Sequence, residues 1–153
     1  MKPNLIRPIA ICVFRHDGRI LAGEFYDPIK RQNFYRPLGG AIEFGETSAD
    51  TITREIAEEL GAAVTGLRYL GTLENIFTYH GQTGHEIVLV YDGAFADPSF
   101  YHRTTIEGVE DDGESLRAVW LELADCNDPA APPVYPTGLL ELLAAHLKRD
   151  DQG

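Results

Sequence analysis

The stretch GGAIEFGETSADTITREIAEELGA, residues 39–62, decides how the chain is read. Thr47 to Leu60 carries the marks of a helix. Thr47 is a candidate N-cap with Asp50 three residues on, in the manner of a capping box. Ile52, Ile56 and Leu60 recur every four residues as one apolar stripe, and Gly61 stands where a left-handed glycine ends a helix. At about 100° per residue, Glu55, Glu58 and Glu59 share a face, with Glu59 bordering the apolar stripe and Glu58 farthest from it. Like charges at these spacings oppose an isolated helix by roughly 0.2–0.5 kcal/mol per pair. Arg54 is the only basic residue in the run, so the signs do not alternate as they would for helix stability alone.

A divalent cation resolves the conflict. Mg²⁺ and Mn²⁺ take oxygen ligands, and three carboxylates on one face can hold one or more such ions and orient a water. Gly39-Gly40 permits close backbone approach, so a main-chain carbonyl can join the set. Glu46 lies just before the helix start, where negative charge is favoured. Read alone, a segment such as EIAEEL is most simply a solvated acidic face. The full spacing argues against that reading.

Before this stretch, PIAICVF, RHDG and RILAGEF predict a hairpin turning at Asp17-Gly18. Residues 26–33 read as a polar loop, and FYRPL as a short extended piece, since Pro37 biases Arg36 away from helix. LRYLGTLENIF and HEIVLVYDGAF predict two strands joined by a turn over YHGQTG. Residues 97–115 read as a long polar, acidic loop. LRAVWLEL is a further strand. ADCNDPAAPPVYP is a proline-rich loop, and a closing helix spans about Thr137 to Lys148. The order of elements predicts one α/β domain over residues 1–153.

Composition bounds the partners. Of 153 residues, 44% are apolar, enough for one core, and 13 basic against 24 acidic side chains give a net charge of −11. Such a body repels nucleic acid polymers and anionic membranes at long range, yet a pocket with a local basic patch can still take a small polyphosphate. Cys12 and Cys126 form neither a disulfide framework nor a metal pattern, and the apolar run IAICVF is too short for a signal or a membrane span. The expectation is a cytoplasmic protein.

Gly40, five residues, Glu46, seven residues, Arg54-Glu55-Ile56, one residue, Glu58-Glu59, one residue, Gly61-Ala62: this pattern resembles the complete Nudix box, the signature of the Nudix hydrolases. Two positions depart from the common form. Leu38 stands where a proline is usual, and Ala62 where a larger aliphatic residue is usual; neither carries chemistry. The resemblance implies a Nudix-like α/β/α sandwich with a mixed β-sheet, the box helix on one side and a C-terminal helix. It also implies hydrolysis of a nucleoside diphosphate linked to another moiety, by water attack on phosphorus with Mg²⁺ or Mn²⁺.

By the match, Glu58 and Glu59 are the main metal ligands. Glu55 is a further ligand or a base, and Gly40 lends its carbonyl oxygen. Arg54 orients a neighbouring glutamate, and Glu46 supports from the helix start. Family members often add a carboxylate from outside the box. Glu114 is the choice here, with Glu110, Asp111, Asp112 and Glu86 as rivals. Substrate contacts are expected from Arg36 foremost, then Arg31, Tyr35 and Phe77, within aromatic and basic clusters that include Lys30, Phe34, Tyr79 and His80; Tyr101, His102 and Arg103 form a third cluster. The implied partner is a small pyrophosphate, with monomer and homodimer both open. The competing expectation is a nucleotide-sensing or partner-binding module on the same fold, which would bind without turnover.

Overall fold

Asp17 and Gly18 both adopt positive φ, 51° and 74°. That pair gives the hairpin turn whose twist suits the strands it joins, β1 (Ile6–His16) and β2 (Arg19–Asp27). The computed structural model describes the backbone of residues 4–152 and the side chains of residues 4–147. β3 (Gln32–Arg36) and β4 (Leu38–Ala41) follow, then α1 (Ser48–Leu60), β5 (Val64–Tyr79) and β6 (Gln82–Phe95). A 3₁₀ turn (Pro98–His102), β7 (Thr105–Val109), β8 (Ser115–Glu122), α2 (Leu123–Cys126) and α3 (Leu139–Gln152) complete the order.

The strands run β5-β6-β1-β2-β8-β7, with β3 on β2 and β4 on β1. β1 is the hinge of this arrangement. Ile6–Phe14 pair in parallel with His85–Gly93 of β6, while Ile9–Cys12 pair antiparallel with β4. Only Arg15 and His16 pair with β2. The sheet is therefore mixed, as expected, and divides at the first hairpin into β5-β6-β1-β4 and β3-β2-β8-β7.

Side chains alternate across a strand, so β1 feeds two cores. Ala10, Cys12 and Phe14 are buried with Ile52 and Ile56 of α1. Ile9, Ile11 and Val13 are buried on the other side with Leu139 and Leu143 of α3. The box helix and the C-terminal helix thus cover opposite faces, which is the α/β/α sandwich.

The expected loop over residues 26–33 narrows to 28–31 between β2 and β3, α2 enters the expected proline-rich loop, and three further differences matter more. The acidic "loop" of residues 97–115 contains the 3₁₀ turn and β7. Asp97 caps the turn by accepting from Ser99 N at 2.9 Å, Phe100 and Ile106 are buried, and β7 pairs antiparallel with β8. The turn expected over residues 79–84 is only His80-Gly81, both at positive φ, so β5 and β6 run right up to it. The closing helix starts at Leu139, after Gly138 at φ 91°, and continues to Gln152.

Candidate active site

Thr47 starts α1 as expected, its Oγ1 accepting from Asp50 N at 3.1 Å, and Gly61 ends it at φ 65°. The helix turns Glu55 and Glu59 inward, at 2% and 8% exposure, and leaves the Glu58 side chain 52% exposed. The face read from the sequence is thus a gradient from core to solvent, with Glu59 inside and Glu58 outside.

Arg54 ties the carboxylates together. Its Nε and Nη2 donate to the two oxygens of Glu46 at 2.8 and 2.9 Å, a bidentate pair. Nη1 donates to Glu55 at 2.7 Å and to Glu58 at 3.3 Å, and Nη2 also reaches the Ala41 carbonyl at 3.2 Å. Thr51 Oγ1 adds a 2.6 Å bond to Glu46. Arg54, and then Thr51, hold the Glu46 carboxyl down at about 2. Glu46 is therefore a fixed anion that anchors the arginine.

Glu55 and Glu59 behave oppositely. Burial pushes both carboxyls up, and for Glu59 the hydrogen bond and charge of Glu55 add to the rise. Burial and mutual repulsion both disfavour the charged forms of this pair. Even so, Glu55 Oε2 and Glu59 Oε1 are buried without any hydrogen-bond partner. A buried unsatisfied acceptor costs about 1–3 kcal/mol, and two on adjacent helical turns fit a cation better than a packed core. Gly40 presses on the same spot. A Cβ there would lie 2.5 Å from Glu55 Cδ and 2.7 Å from each of its oxygens. The donor set is all oxygen, which suits Mg²⁺ or Mn²⁺. These residues fit such an ion.

Outside the helix, the turn between β7 and β8 brings a fifth carboxylate. Among the described residues, ligand atoms of Glu55, Glu58 and Asp111 lie within 4.8 Å of one another. Neither Glu59, expected as a main ligand, nor Glu114, the carboxylate favoured from outside the box, is in that group; Glu114 lines the adjoining cavity with Glu59, Glu110, Asp111 and Asp112. These acids sit on the turn closed by Gly113 N donating to the Glu110 carbonyl, and Asp111 is the one whose ligand atom comes near Glu55 and Glu58. Spacing from Trp120 carried no such information. Glu86 lies elsewhere in the cavity wall, paired with Arg36.

The cavity, about 600 Å³, opens between the two halves of the sheet and is bordered by Glu59 and Gly40. Arg36 and Phe77 line it; Arg31 and Tyr35 do not. The reason is strand alternation in β3. Gln32, Phe34 and Arg36 face the cavity, while the Tyr35 hydroxyl turns to Glu24 at 3.3 Å and Arg31 sits exposed at φ 53°. Phe34 is the aromatic centre instead, with ring centroids 5.4 Å from Phe25, 5.5 Å from Tyr79 and 5.8 Å from Tyr135. Tyr135 had no sequence signal; its loop is docked on β3 by Tyr135 N donating to the Tyr35 carbonyl at 2.9 Å. Tyr101, His102 and Arg103 do not line the cavity, and Arg103 covers Phe100.

A family model described as NUDIX domain matches residues 5–139. The NAD-capped RNA hydrolase NudC of Vibrio vulnificus (strain CMCP6) is 36% identical over 138 residues, covering 88% of this chain and 44% of that protein. NudC of Vibrio parahaemolyticus serotype O3:K6 is 27% identical over 135 residues, with the same coverages of 88% and 44%. The chain spans less than half the length of these curated relatives. Among solved structures, the MutT NUDIX hydrolase from Burkholderia pseudomallei superposes with a TM-score of 0.59 at 24% identity, covering 92% of this chain and 98% of that one. An ADP compounds hydrolase gives 0.61 at 19% identity, covering 98% and 77%. At these identities the structural likeness speaks for the fold.

Proposed function

The chain belongs to the Nudix hydrolase family, and from that premise we propose that it hydrolyses a pyrophosphate bond in a nucleoside diphosphate linked to another moiety, with Mg²⁺ or Mn²⁺. One observation carries the reading: the buried, partnerless oxygens of Glu55, packed against Gly40, and of Glu59 one turn on. Solvated acidic faces do not bury their carboxylates.

Glu55, Glu58 and Glu59 would hold the ion, and Asp111 and the Gly40 carbonyl would be further oxygen donors. A bound ion neutralises pyrophosphate charge and makes water a better nucleophile. The chain's own residues prepare that step. Arg54 keeps Glu55 in place and is itself fixed by the Glu46 anion. A cation would need both carboxyls ionised, and burial raises both, so metal affinity should increase with pH. The cavity receives the rest of the substrate, where Phe34 and its neighbouring rings offer a stacking surface for a base.

The relatives named for NAD-capped RNA make NAD, a diphosphate joining two nucleosides, one substrate to try. Others are ADP-ribose, sugar nucleotides, dinucleoside polyphosphates and nucleoside triphosphates. The net charge of −11 favours the free small molecules over a polymer. The test is product release from this panel with Mg²⁺ or Mn²⁺. Turnover that stops in EDTA and in Glu58→Gln and Glu59→Gln supports the proposal. Tight binding with no turnover of any member would replace it with a nucleotide-sensing module.

A further inference from the structure

Asn75 of β5, Glu86 of β6 and Arg7 of β1 are register partners, so they form one row on one sheet face. Arg36 reaches the row from β3, in the other half of the sheet. Its Nη2 donates to Glu86 Oε1 at 2.9 Å, and Arg7 Nη1 stands 3.9 Å from Oε2. Asn75 Nδ2 contributes a longer contact, 3.4 Å to Oε1, while its Oδ1 accepts from Thr137 N at 3.2 Å. Glu86 is 2% exposed, whereas the Arg7 and Arg36 side chains keep 42% and 24% of their exposure. The carboxylate lies behind and the guanidinium groups lie in front, and all four residues line the cavity.

One arginine would neutralise Glu86; two leave an excess positive charge. A structural tie between strands does not need the second cation. In a chain of net charge −11, whose cavity also carries Asp27, Glu59, Glu110, Asp111, Asp112 and Glu114, this wall gathers two cations, with Lys30 the other basic side chain of the lining, and so attracts an anion. Each guanidinium has five N–H donors, and the bond to Glu86 occupies one of those on Arg36. The geometry points to a phosphate-binding station: Arg7 and Arg36, held by Glu86, take a phosphate group of a nucleotide ligand at a site separate from the carboxylates of α1. This rests on reading the cavity as the substrate site, but it concerns binding alone and needs no metal.

Calorimetric titration in EDTA tests it, with ADP, inorganic pyrophosphate and adenosine as probes. Loss of one charge-assisted contact is expected to weaken ADP and pyrophosphate by about tenfold in Arg7→Gln and in Arg36→Gln, with adenosine binding unchanged. Arg36→Gln leaves Glu86 less well paired and can fail to fold. Arg7→Gln removes a more exposed side chain, leaves the Glu86–Arg36 bond in place and decides the matter alone. The station is refuted by phosphate-probe binding in Arg7→Gln equal to wild type, by an equal loss for adenosine, or by a wild type that binds neither phosphate probe. Absence of turnover with every metal would instead defeat the hydrolase reading and leave these binding constants interpretable.

Discussion

Replacing Gly40 by alanine adds one methyl group at the centre of the proposed site. Gly40 is not in the left-handed region, so alanine brings no backbone strain and the effect is steric. The new Cβ would lie 2.5 Å from Glu55 Cδ. Ordinary carbon contacts begin near 3.5 Å, so the carboxyl must retreat by about 1 Å. Glu55 is 2% exposed and tied to Arg54 at 2.7 Å, so it cannot retreat without disturbing that bond. Overpacking of this kind costs about 1–3 kcal/mol of stability. A misplacement of about 1 Å in a catalytic group costs on the order of 100-fold in rate. The expected result for Gly40→Ala is therefore a fall of about 100-fold in kcat/KM with Mg²⁺, in a protein that still melts cooperatively. Steady-state kinetics on the best panel substrate, paired with thermal melts, reads both. Activity within about threefold of wild type, at unchanged fold, would refute the claim that Glu55 must stay where Gly40 lets it sit.

Other perturbations separate the parts of the site. Arg54→Gln removes the bidentate tie to Glu46 and the bond to Glu55, and urea denaturation should show a lower midpoint than for Arg68→Gln, which breaks an exposed pair. The raised carboxyls of Glu55 and Glu59 bind a proton more tightly folded than unfolded. In EDTA their contribution to stability is fully present below about pH 4.3 and is lost as pH rises through their elevated folded values. The melting temperature should accordingly decline toward alkaline pH, with a shallower slope in Glu59→Gln; an identical slope contradicts a raised Glu59 carboxyl. Phe34→Leu should raise KM by about tenfold through lost stacking, whereas Tyr35→Phe, whose hydroxyl turns to Glu24, should leave KM within about twofold.

What could be read from the sequence was local. Thr47, Gly61 and the Ile52/Ile56 stripe lie within one helix, and each acts through neighbours a few residues away, so α1 and its acid gradient were legible. β7 was not. Its five residues include Gly108, and polar neighbours mask its one deeply buried side chain, Ile106. Gly108 becomes intelligible only in three dimensions, because a Cβ there would strike the Glu59 carbonyl oxygen of α1. The cavity joins Arg7, Arg36, Glu86 and Tyr135, which are far apart in the chain and share no period. In β3 a strict period of two would have favoured Phe34 and Arg36 together and set Tyr35 aside. The choice of Asp111 over Glu114 in the acidic group depends on a turn that composition does not specify.

The central claim is that the buried carboxylates of α1 are a cation site and not an acidic surface. Melting the protein with and without Mg²⁺ at about one hundred times its dissociation constant tests this, because binding to the folded state alone adds about 2.7 kcal/mol. For a chain of this length that corresponds to a rise of roughly 5–10 °C. That rise is expected in the wild type and should nearly disappear in Glu59→Gln. A wild type that gains nothing from Mg²⁺ or Mn²⁺, or a Glu59→Gln protein that gains as much, would contradict it.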